Sequence, residues 1–400
     1  MRGLDVIVRE VQKLRSNGKT AVLATVVNVS GSAYRLPGAR MLVSDNGWVA
    51  GSISGGCLES DIILRAPEVI KKREATLVRY DTTSDEDIVF GVGLGCRGII
   101  RVLIEPITPE IAPADLIEFI RTCLTLRQIG IVATVVSAAG PTLTARGSRL
   151  LLHPDGTIST DISDSRLMTT IGSLARQARA AKNANTTILQ LPDGEGEVFL
   201  ETIRLPTPLV VFGAGHDAVP VVRFAKELGW HVTMIDHRPA YATKERFPQA
   251  DEVIMSGPSE IPSNLSLKSD TAALIMTHNF LRDLNLLKAL LPSPVRYLGL
   301  LGPRRRADEL LEELKNQGIG TTPAQLERLF APVGLDIGVE TPEGVALSIL
   351  SEVQAVIAER RSGHLRDRKS SIHGLEPRAP HVDSVQSQHI DQRLATENED

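Results

Sequence analysis

The sequence is poor in cysteine, in aromatic residues and in charge of a single sign. Three cysteines among 400 residues are too few for the disulfide framework of a secreted domain, so we expect free thiols in a reducing compartment. Lysine and arginine number 44 against 48 aspartates and glutamates, and a net charge of −4 argues against a nucleic-acid-binding protein.

Long hydrophobic runs are also missing. No stretch of about 18 apolar residues occurs, so we predict no membrane span. The amphipathic N-terminal segment carries scattered basic residues and lacks the continuous apolar region of a signal peptide. We therefore expect a cytoplasmic protein. Hydrophobic residues make up 42% of the chain, as in ordinary globular proteins, and the length predicts two or three domains.

The first half of the chain contains an internal repeat. Shifting the sequence by 109 positions aligns identical residues, many of them in β-branched runs or at turn glycines: Ala24–Val27 with Ala133–Val136, Gly38 with Gly147, Arg40 with Arg149, Gly47 with Gly156, and Ile53-Ser54 with Ile162-Ser163. Glycines at matching turns indicate a shared backbone, although two unrelated sheets with similar turn chemistry would be an alternative. We predict a duplicated mixed α+β half, with copy 1 in residues 1–106 and copy 2 in residues 107–206.

The two copies differ in their glycine and cysteine content. Copy 1 contains Gly55-Gly56-Cys57, where copy 2 contains Asp164-Ser165-Arg166. Copy 1 also has a second glycine-rich loop, residues 91–98, which includes Gly95 and Cys96 and has no counterpart in copy 2. We interpret copy 1 as the functional copy and copy 2 as structural.

The two loops of copy 1 predict an anion-binding pocket. The glycines before a predicted helix leave backbone N–H groups free, and the helix start favours the thiolate of Cys57. We predict that Cys57 and Cys96 line one pocket for an anionic, phosphorylated ligand, with added charge from Arg40. The alternative is two turn-rich loops with incidental cysteines. Zinc is disfavoured because no CxxC motif or suitably spaced histidine accompanies either cysteine.

Residues 207–360 have the pattern of a Rossmann-like, doubly wound parallel sheet. A short apolar strand runs into Gly213-Ala214-Gly215-His216-Asp217-Ala218, which is a G-x-G-x-x-A turn before a helix. The next strand ends at Asp236, at the spacing of the acid that binds a ribose hydroxyl. Asp236 favours an unmodified ribose over a 2′-phosphate, although Arg238 close by leaves the phosphorylated form open. His278 follows a later strand and is a candidate base or ligand contact, with a structural role as the alternative. The polar segment 361–400 is predicted to be disordered.

The segments GSISGGCLE, GLGCRG, GAGH and APVGLDIG together resemble the XdhC/CoxI family of xanthine dehydrogenase accessory proteins. The resemblance implies a molybdenum-cofactor chaperone, more an accessory protein than an enzyme. Such a chaperone binds molybdopterin, supports exchange of an oxo for a sulfido ligand with a cysteine desulfurase, and delivers the cofactor to an apo xanthine dehydrogenase or related molybdenum hydroxylase.

Carried onto this chain, the resemblance makes Cys57 and Cys96 the thiols near molybdenum. It implies that the other cofactor-binding residues lie in the glycine loops and in the Rossmann turn: Gly55, Gly56, Glu59, Gly95, Arg40, Gly213, Gly215, His216, Asp236 and His278. The Rossmann domain would hold part of the cofactor or a separate nucleotide such as NAD(P).

Two other functions remain open at this point. One is an NAD(P)-dependent oxidoreductase with an appended β-rich domain, and the other is a non-catalytic scaffold that docks on the apo-dehydrogenase. A homodimer is a further expectation.

Overall fold

A computed structural model describes residues 2–81, 98–138, 145–180, 187–190, 196–257 and 260–368. Its internal contacts divide the chain into two compact units. The first comprises residues 1–209 with 222–233 and 247–253, and the second comprises residues 210–221, 234–246 and those from 254 onward. Most of the predicted polar tail, residues 369–400, lies outside the described residues.

The first unit contains two five-stranded antiparallel sheets with the same strand order, β3-β2-β1-β5-β4 and β8-β7-β6-β10-β9. In copy 1 the elements are α1 (Arg2–Ser16), β1 (Ala21–Gly31), β2 (Arg40–Ser44), β3 (Gly47–Gly51), α2 (Glu59–Lys72), β4 (Thr76–Asp81) and β5 (Gly98–Ile107). In copy 2 they are α3 (Leu116–Leu126), β6 (Ile131–Ala138), β7 (Arg149–Leu152), β8 (Ile158–Thr160), α4 (Ser165–Ala180), β9 (Thr187–Gln190) and β10 (Gly196–Thr202). The described elements therefore follow one order in both copies.

Helices cover both faces of the first sheet, which explains the continuous apolar run at the start of β1. Alternate residues of a strand point to opposite faces. Leu23 accordingly packs in the cluster that includes α1 and α3, whereas Val22 and Ala24 pack in the cluster that includes α2. Because both sets of side chains are buried, the first seven residues of β1 are all buried and show no polar–apolar alternation.

The two copies contact each other through two buried ion pairs, in which equivalent residues of the copies have equivalent partners. Arg40 on β2 is paired with Glu201 on β10, and the equivalent Arg149 on β7 is paired with Glu105 on β5. A small cluster formed by Val27, Leu103, Val136 and Phe199 lies between the sheets. The repeat therefore folds as a pseudo-symmetric pair within one chain.

Residues 208–357 form a six-stranded parallel sheet with helices, in the order β13-β12-β11-β14-β15-β16. The elements are β11 (Pro208–Phe212), α5 (Ala218–Glu227), β12 (His231–Asp236), β13 (Glu252–Met255), β14 (Ala272–Ile275), α6 (Phe280–Leu290), β15 (Tyr297–Leu300), α7 (Arg304–Asn316), α8 (Pro323–Glu327), β16 (Leu329–Phe330) and α9 (Pro342–Ile357).

The strand order reverses between β11 and β14, and ligands bind doubly wound sheets at the carboxyl ends of strands on either side of such a reversal. The predicted fold class, a duplicated α+β half followed by a Rossmann-like domain, is confirmed. Among the described helices, none has the length and apolar character needed to cross a bilayer.

Candidate functional site

The first candidate site is the loop between β3 and α2, residues 52–58, which carries Cys57. The loop leaves β3 at Gly51, whose φ of +75° lies in the left-handed region and where any side chain would collide with the carbonyl oxygen of Arg40. Ile53 and Leu58 anchor the loop in the core beneath it. The segment between these anchors is therefore held at both ends, and Cys57 within it is exposed.

Hydrogen bonds from within the loop and from the start of α2 fix its backbone. The Glu59 carboxylate accepts from the N–H groups of Ile53 and Ser54 at 3.1 and 2.9 Å, and also from the Ser54 hydroxyl. The Ser54 hydroxyl oxygen in turn accepts from the N–H groups of Gly56 and Leu58, each at 3.1 Å. Four backbone N–H groups around the loop, including that of Gly56, are thus already hydrogen-bonded within it.

Glu59 is held as a carboxylate by this network. Burial raises the pKa of Glu59, but the hydrogen bonds from Ser54 and Ile53 outweigh it, and the pKa lies below its ordinary value. Glu59 therefore acts as a support for the loop backbone, and its oxygens face Ile53 and Ser54.

The two cysteines that the structure describes have opposite environments. Cys57 is exposed, with its Sγ donating to the Ser54 hydroxyl oxygen at 3.4 Å. Cys123 on α3 is fully buried, and burial raises its pKa to about 11. Cys57 is therefore a thiol that can contact a ligand, whereas Cys123 is a packed thiol of the core.

The structure places Arg40 away from solvent, in an ion pair with Glu201. Arg40 is 4% exposed. Its guanidinium forms a bidentate ion pair with Glu201, in which Nη1 lies 2.8 Å from Oε1. The positive charge predicted for the anion pocket is thus neutralised inside the core. Arg40 contributes to the site through its backbone carbonyl, which packs against Gly51.

Gly95 and Cys96 lie outside the described residues, so their convergence with Cys57 stays a prediction. The strand registers nevertheless show where β5, the strand that follows Cys96 in the chain, begins. Gly51 pairs with Met41 next to Arg40, Arg40 pairs with Thr25, and Gly98 pairs with Gly31 further along β1. The Cys57 loop and the chain entering β5 therefore start from the same end of the sheet.

The second candidate site is the turn between β11 and α5 in the parallel sheet. Gly213 has a φ of +109°, and a side chain there would collide with the backbone of Met276 and Thr277 at the end of β14. The close approach of these two segments explains the glycine physically. His216 in the same turn lies near Arg246, with 3.4 Å between its Nδ1 and the arginine Nη2.

Asp236 ends β12 at the predicted position and binds parts of the protein. Its carboxylate accepts from the Ala214 N–H at 2.6 Å and from the Arg238 side chain at 2.9 and 2.7 Å. Burial raises the pKa of Asp236, but these hydrogen bonds dominate and lower it to about 2. Asp236 is thus ionised and connects the glycine turn to Arg238.

His278 forms a dyad with Asp217 at the same edge of the sheet. Its Nε2 lies 2.7 Å from Asp217 Oδ2, and its side chain is 61% exposed. His278 has a φ of +57°, a left-handed conformation that is uncommon outside glycine and is often found at functional positions. The carboxylate orients the imidazole and leaves the other ring nitrogen available to a ligand.

A cleft at this edge of the sheet is lined by Gly213, Asp236, His237, Arg238, Thr277 and Arg282, among others. The sequence does not predict Asp217 or Arg282 as site residues, because each is a single polar residue whose neighbour in the structure is distant in the chain. For Arg238, the sequence signal for a place in the site is its position two residues after Asp236.

Comparisons with known proteins identify the family. Two family models match the chain: that of the XdhC and CoxI family over residues 14–81, and that of the XdhC Rossmann domain over residues 209–353. A protein of Bacillus subtilis described as a probable xanthine dehydrogenase subunit is 33% identical over 341 residues, covering 85% of this chain and 94% of that protein.

Two further relatives extend over nearly the same span. The molybdenum cofactor insertion chaperone PaoD of Escherichia coli is 25% identical over 350 residues, covering 88% of this chain and 87% of that protein. A crystal structure described as a xanthine dehydrogenase from Bacillus halodurans superposes with a TM-score of 0.72 at 28% identity, covering 89% of this chain and 96% of that one. The family resemblance predicted from the motifs is confirmed, and this chain belongs to the XdhC and CoxI family.

Proposed function

We propose that this protein binds the molybdenum cofactor as cargo and acts as its maturation and insertion chaperone for a xanthine dehydrogenase-type molybdoenzyme. The observation that carries the proposal is the exposed thiol of Cys57, held on a hydrogen-bonded glycine loop in copy 1 and replaced by Arg166 in copy 2. The names of the relatives, a molybdenum cofactor insertion chaperone among them, support the same role.

The chemistry of the loop suits this cargo. A thiolate is a soft ligand that matches a molybdenum–sulfur centre. Gly55 and Gly56 carry no side chains that would obstruct the approach of a large ligand to Cys57, and the exposed Tyr34 ring lies beside Gly55. The Ser54–Glu59 network keeps the loop in one conformation before the cargo arrives, which reduces the ordering cost of binding.

Cys96 is proposed as the second thiol of this site, because its loop joins β5 at the end of the sheet from which the Cys57 loop leaves. The cleft of the parallel sheet is proposed to hold part of the molybdenum cofactor or a separate nucleotide such as NAD(P). We further propose an apo xanthine dehydrogenase as the partner that receives the cargo, with a cysteine desulfurase as a second partner. A homodimer remains part of the proposal.

The test compares Cys57→Ser with Arg166→Ala, the equivalent position in copy 2. Each full-length variant is isolated from cells that make the cofactor, and its molybdenum and its pterin, as the fluorescent oxidised derivative, are quantified. We expect the Cys57→Ser protein to lose most of both, because a hydroxyl is a poor ligand for a soft centre, and the Arg166→Ala protein to keep both. Equal cofactor content in the two variants, together with equal activation of the apo client, would overturn the proposal.

An NAD(P)-dependent oxidoreductase is the second candidate, favoured by the cleft and the His278–Asp217 dyad. It predicts stoichiometric nicotinamide nucleotide and substrate-dependent turnover that is lost in His278→Asn. Turnover in the Cys57→Ser variant at the normal rate would favour this candidate over the chaperone.

A further inference from the structure

The cleft of the parallel sheet differs from a site that grips a ribose diol. In such a site a free carboxylate at the end of the second strand accepts hydrogen bonds from the ribose hydroxyls. Here the Asp236 carboxylate already accepts from the N–H groups of Ala214 and Arg238 at 2.6 and 2.9 Å, and from Arg238 Nε and Nη2 at 2.9 and 2.7 Å. A carboxylate offers about four acceptor positions, so a diol would have to displace Arg238.

Arg238 is held firmly in this place. Its guanidinium stacks on the Tyr241 ring, 3.8 Å from the ring centre. The planar ion pair with Asp236 and the stacking contact restrain it from two directions. The group that a ribose would meet is consequently the Arg238 guanidinium, which is held by the Asp236 carboxylate.

A second guanidinium lines the same cleft. Arg282 stands in the first turn of α6, is half-buried, and has no side-chain partner among the residues that the structure describes. Arg282 lies near His237. Burial lowers the pKa of His237 most, and the positive charge of Arg282 lowers it further. His237 is therefore neutral at pH 7, and the positive charge of the cleft comes from the two arginines.

Glu260 is the acid in the lining that opposes an anion. It is exposed and lies beside Gly257 at the end of β13. Asp236 is compensated by Arg238, so Arg282 and Glu260 decide the sign of the potential that a ligand meets. The half-buried guanidinium is screened less by solvent than the exposed carboxylate, which favours an anion.

We propose that the Asp236 end of this cleft binds a phosphate group carried on the ribose of a nucleotide, in preference to an unmodified ribose diol, with Arg282 as its main contact. Arg282 meets the phosphate in the fork geometry that guanidinium groups adopt with phosphate oxygens, Arg238 adds a second donor, and Asp236 positions Arg238. The inference rests on the proposal that this cleft holds a nucleotide, and it does not depend on the role proposed for Cys57.

Pairs of nucleotides that differ by one phosphate test it. Calorimetric titration of the full-length protein compares NADP⁺ with NAD⁺, and adenosine 2′,5′-bisphosphate with adenosine 5′-monophosphate. Adenosine 3′,5′-bisphosphate distinguishes the 2′ from the 3′ position. A charged hydrogen bond contributes about 1.5–3 kcal/mol, so we expect the phosphorylated member of a pair to bind at least about tenfold more tightly.

Three variants assign the preference to residues. Arg282→Gln should reduce the preference to about twofold or less while leaving the affinity for adenosine 5′-monophosphate unchanged, as expected when one charged contact is lost. Glu260→Gln should increase the preference. Arg305→Gln, on the exposed face of α7 where Arg305 pairs with Glu309, is the matched control and should change nothing.

The proposal is overturned if NAD⁺ binds as tightly as NADP⁺ or tighter, or if none of the nucleotides binds. It is also overturned if Arg282→Gln weakens both members of a pair equally, because Arg282 would then support the fold of the cleft without reading the phosphate.

Discussion

The two copies of the repeat share every described strand and helix, but the helix after the third strand begins three residues earlier in copy 2 than in copy 1. In copy 2, α4 starts at Ser165, and the Asp164 side chain caps it by accepting from the Leu167 N–H at 2.9 Å. In copy 1 the residues equivalent to Asp164 and Ser165 are Gly55 and Gly56. Neither glycine has a side chain that could cap a helix at this position, and Gly56 has a φ of +120°, which is incompatible with a helix.

The difference shows how a small change turns a structural element into a site. The apolar anchors are retained, since Ile53 and Leu58 in copy 1 match Ile162 and Leu167 in copy 2, and all four are buried. Between the anchors, two glycines remove about one helical turn and leave Cys57 on an exposed loop. Copy 2 contributes Glu201 and Arg149 to the buried ion pairs that join the two copies.

The largest expected effect concerns the ion pairs that join the copies. Glu201→Ala leaves the buried Arg40 guanidinium without its counter-charge, and breaking such a pair costs about 3–5 kcal/mol. Glu197→Ala on the same strand removes a partner of Arg101 in a pair that is about one-fifth exposed, where about 1 kcal/mol is expected. Urea unfolding followed by circular dichroism measures both. Equal losses in the two variants would contradict the view that the buried charges hold the copies together.

The second prediction exchanges the loop between the copies. Gly55→Asp combined with Gly56→Ser gives copy 1 the cap of copy 2, so α2 should begin earlier and Cys57 should enter its first turn. Hydrogen exchange of the amides after Cys57 should slow about fivefold, because an N-cap contributes about 1 kcal/mol. Bound molybdenum should fall to the level of the Cys57→Ser protein.

The reciprocal variant, Asp164→Gly with Ser165→Gly, is the control. It removes the cap of α4, so it should destabilise copy 2 by about 1 kcal/mol and leave the molybdenum content unchanged. If the exchange in copy 1 extends the helix and the protein retains its molybdenum, the exposed loop is not what holds the cargo.

Much of this comparison was accessible from the sequence, because the signals are local. Glycines at matching turns and β-branched runs predicted the duplication, and the G-x-G-x-x-A turn with Asp236 in register predicted the parallel sheet. Such patterns report on backbone conformation and on which face of an element is buried. The replacement of Gly55 and Gly56 by Asp164 and Ser165 was visible too, although the shift of the helix start was not predicted.

What the sequence could not provide is the pairing of side chains that are distant in the chain. The sequence predicts Arg40 in an anion pocket because its charge would attract the anion. Its partner Glu201 is 161 residues away. Asp236 was assigned to a ribose for its spacing, whereas the structure fills its oxygens with Ala214 and Arg238. Charged side chains take the partner that the tertiary structure brings closest, and that partner is not encoded in local spacing.

The smallest expected effect concerns Glu59, whose equivalent in copy 2 is Met168. The pKa of Glu59 in the folded protein is below its ordinary value of 4.5, so its carboxylate stabilises the folded state above that pH. This contribution decreases as the pH falls through the folded value. Glu59→Gln should therefore cost about 1 kcal/mol at pH 7, and its unfolding midpoint should converge with that of the unmodified protein in acid.

Met168→Gln, the matched change in copy 2, should give a difference that does not vary with pH, because no carboxylate is removed there. The measurement is the urea midpoint of each protein from neutral pH to below 4.5, the ordinary pKa of this side chain. A Glu59→Gln difference that stays constant across this range would mean that the loop is held by the shape of the side chain alone. The charge of Glu59 would then have no part in keeping Cys57 in place.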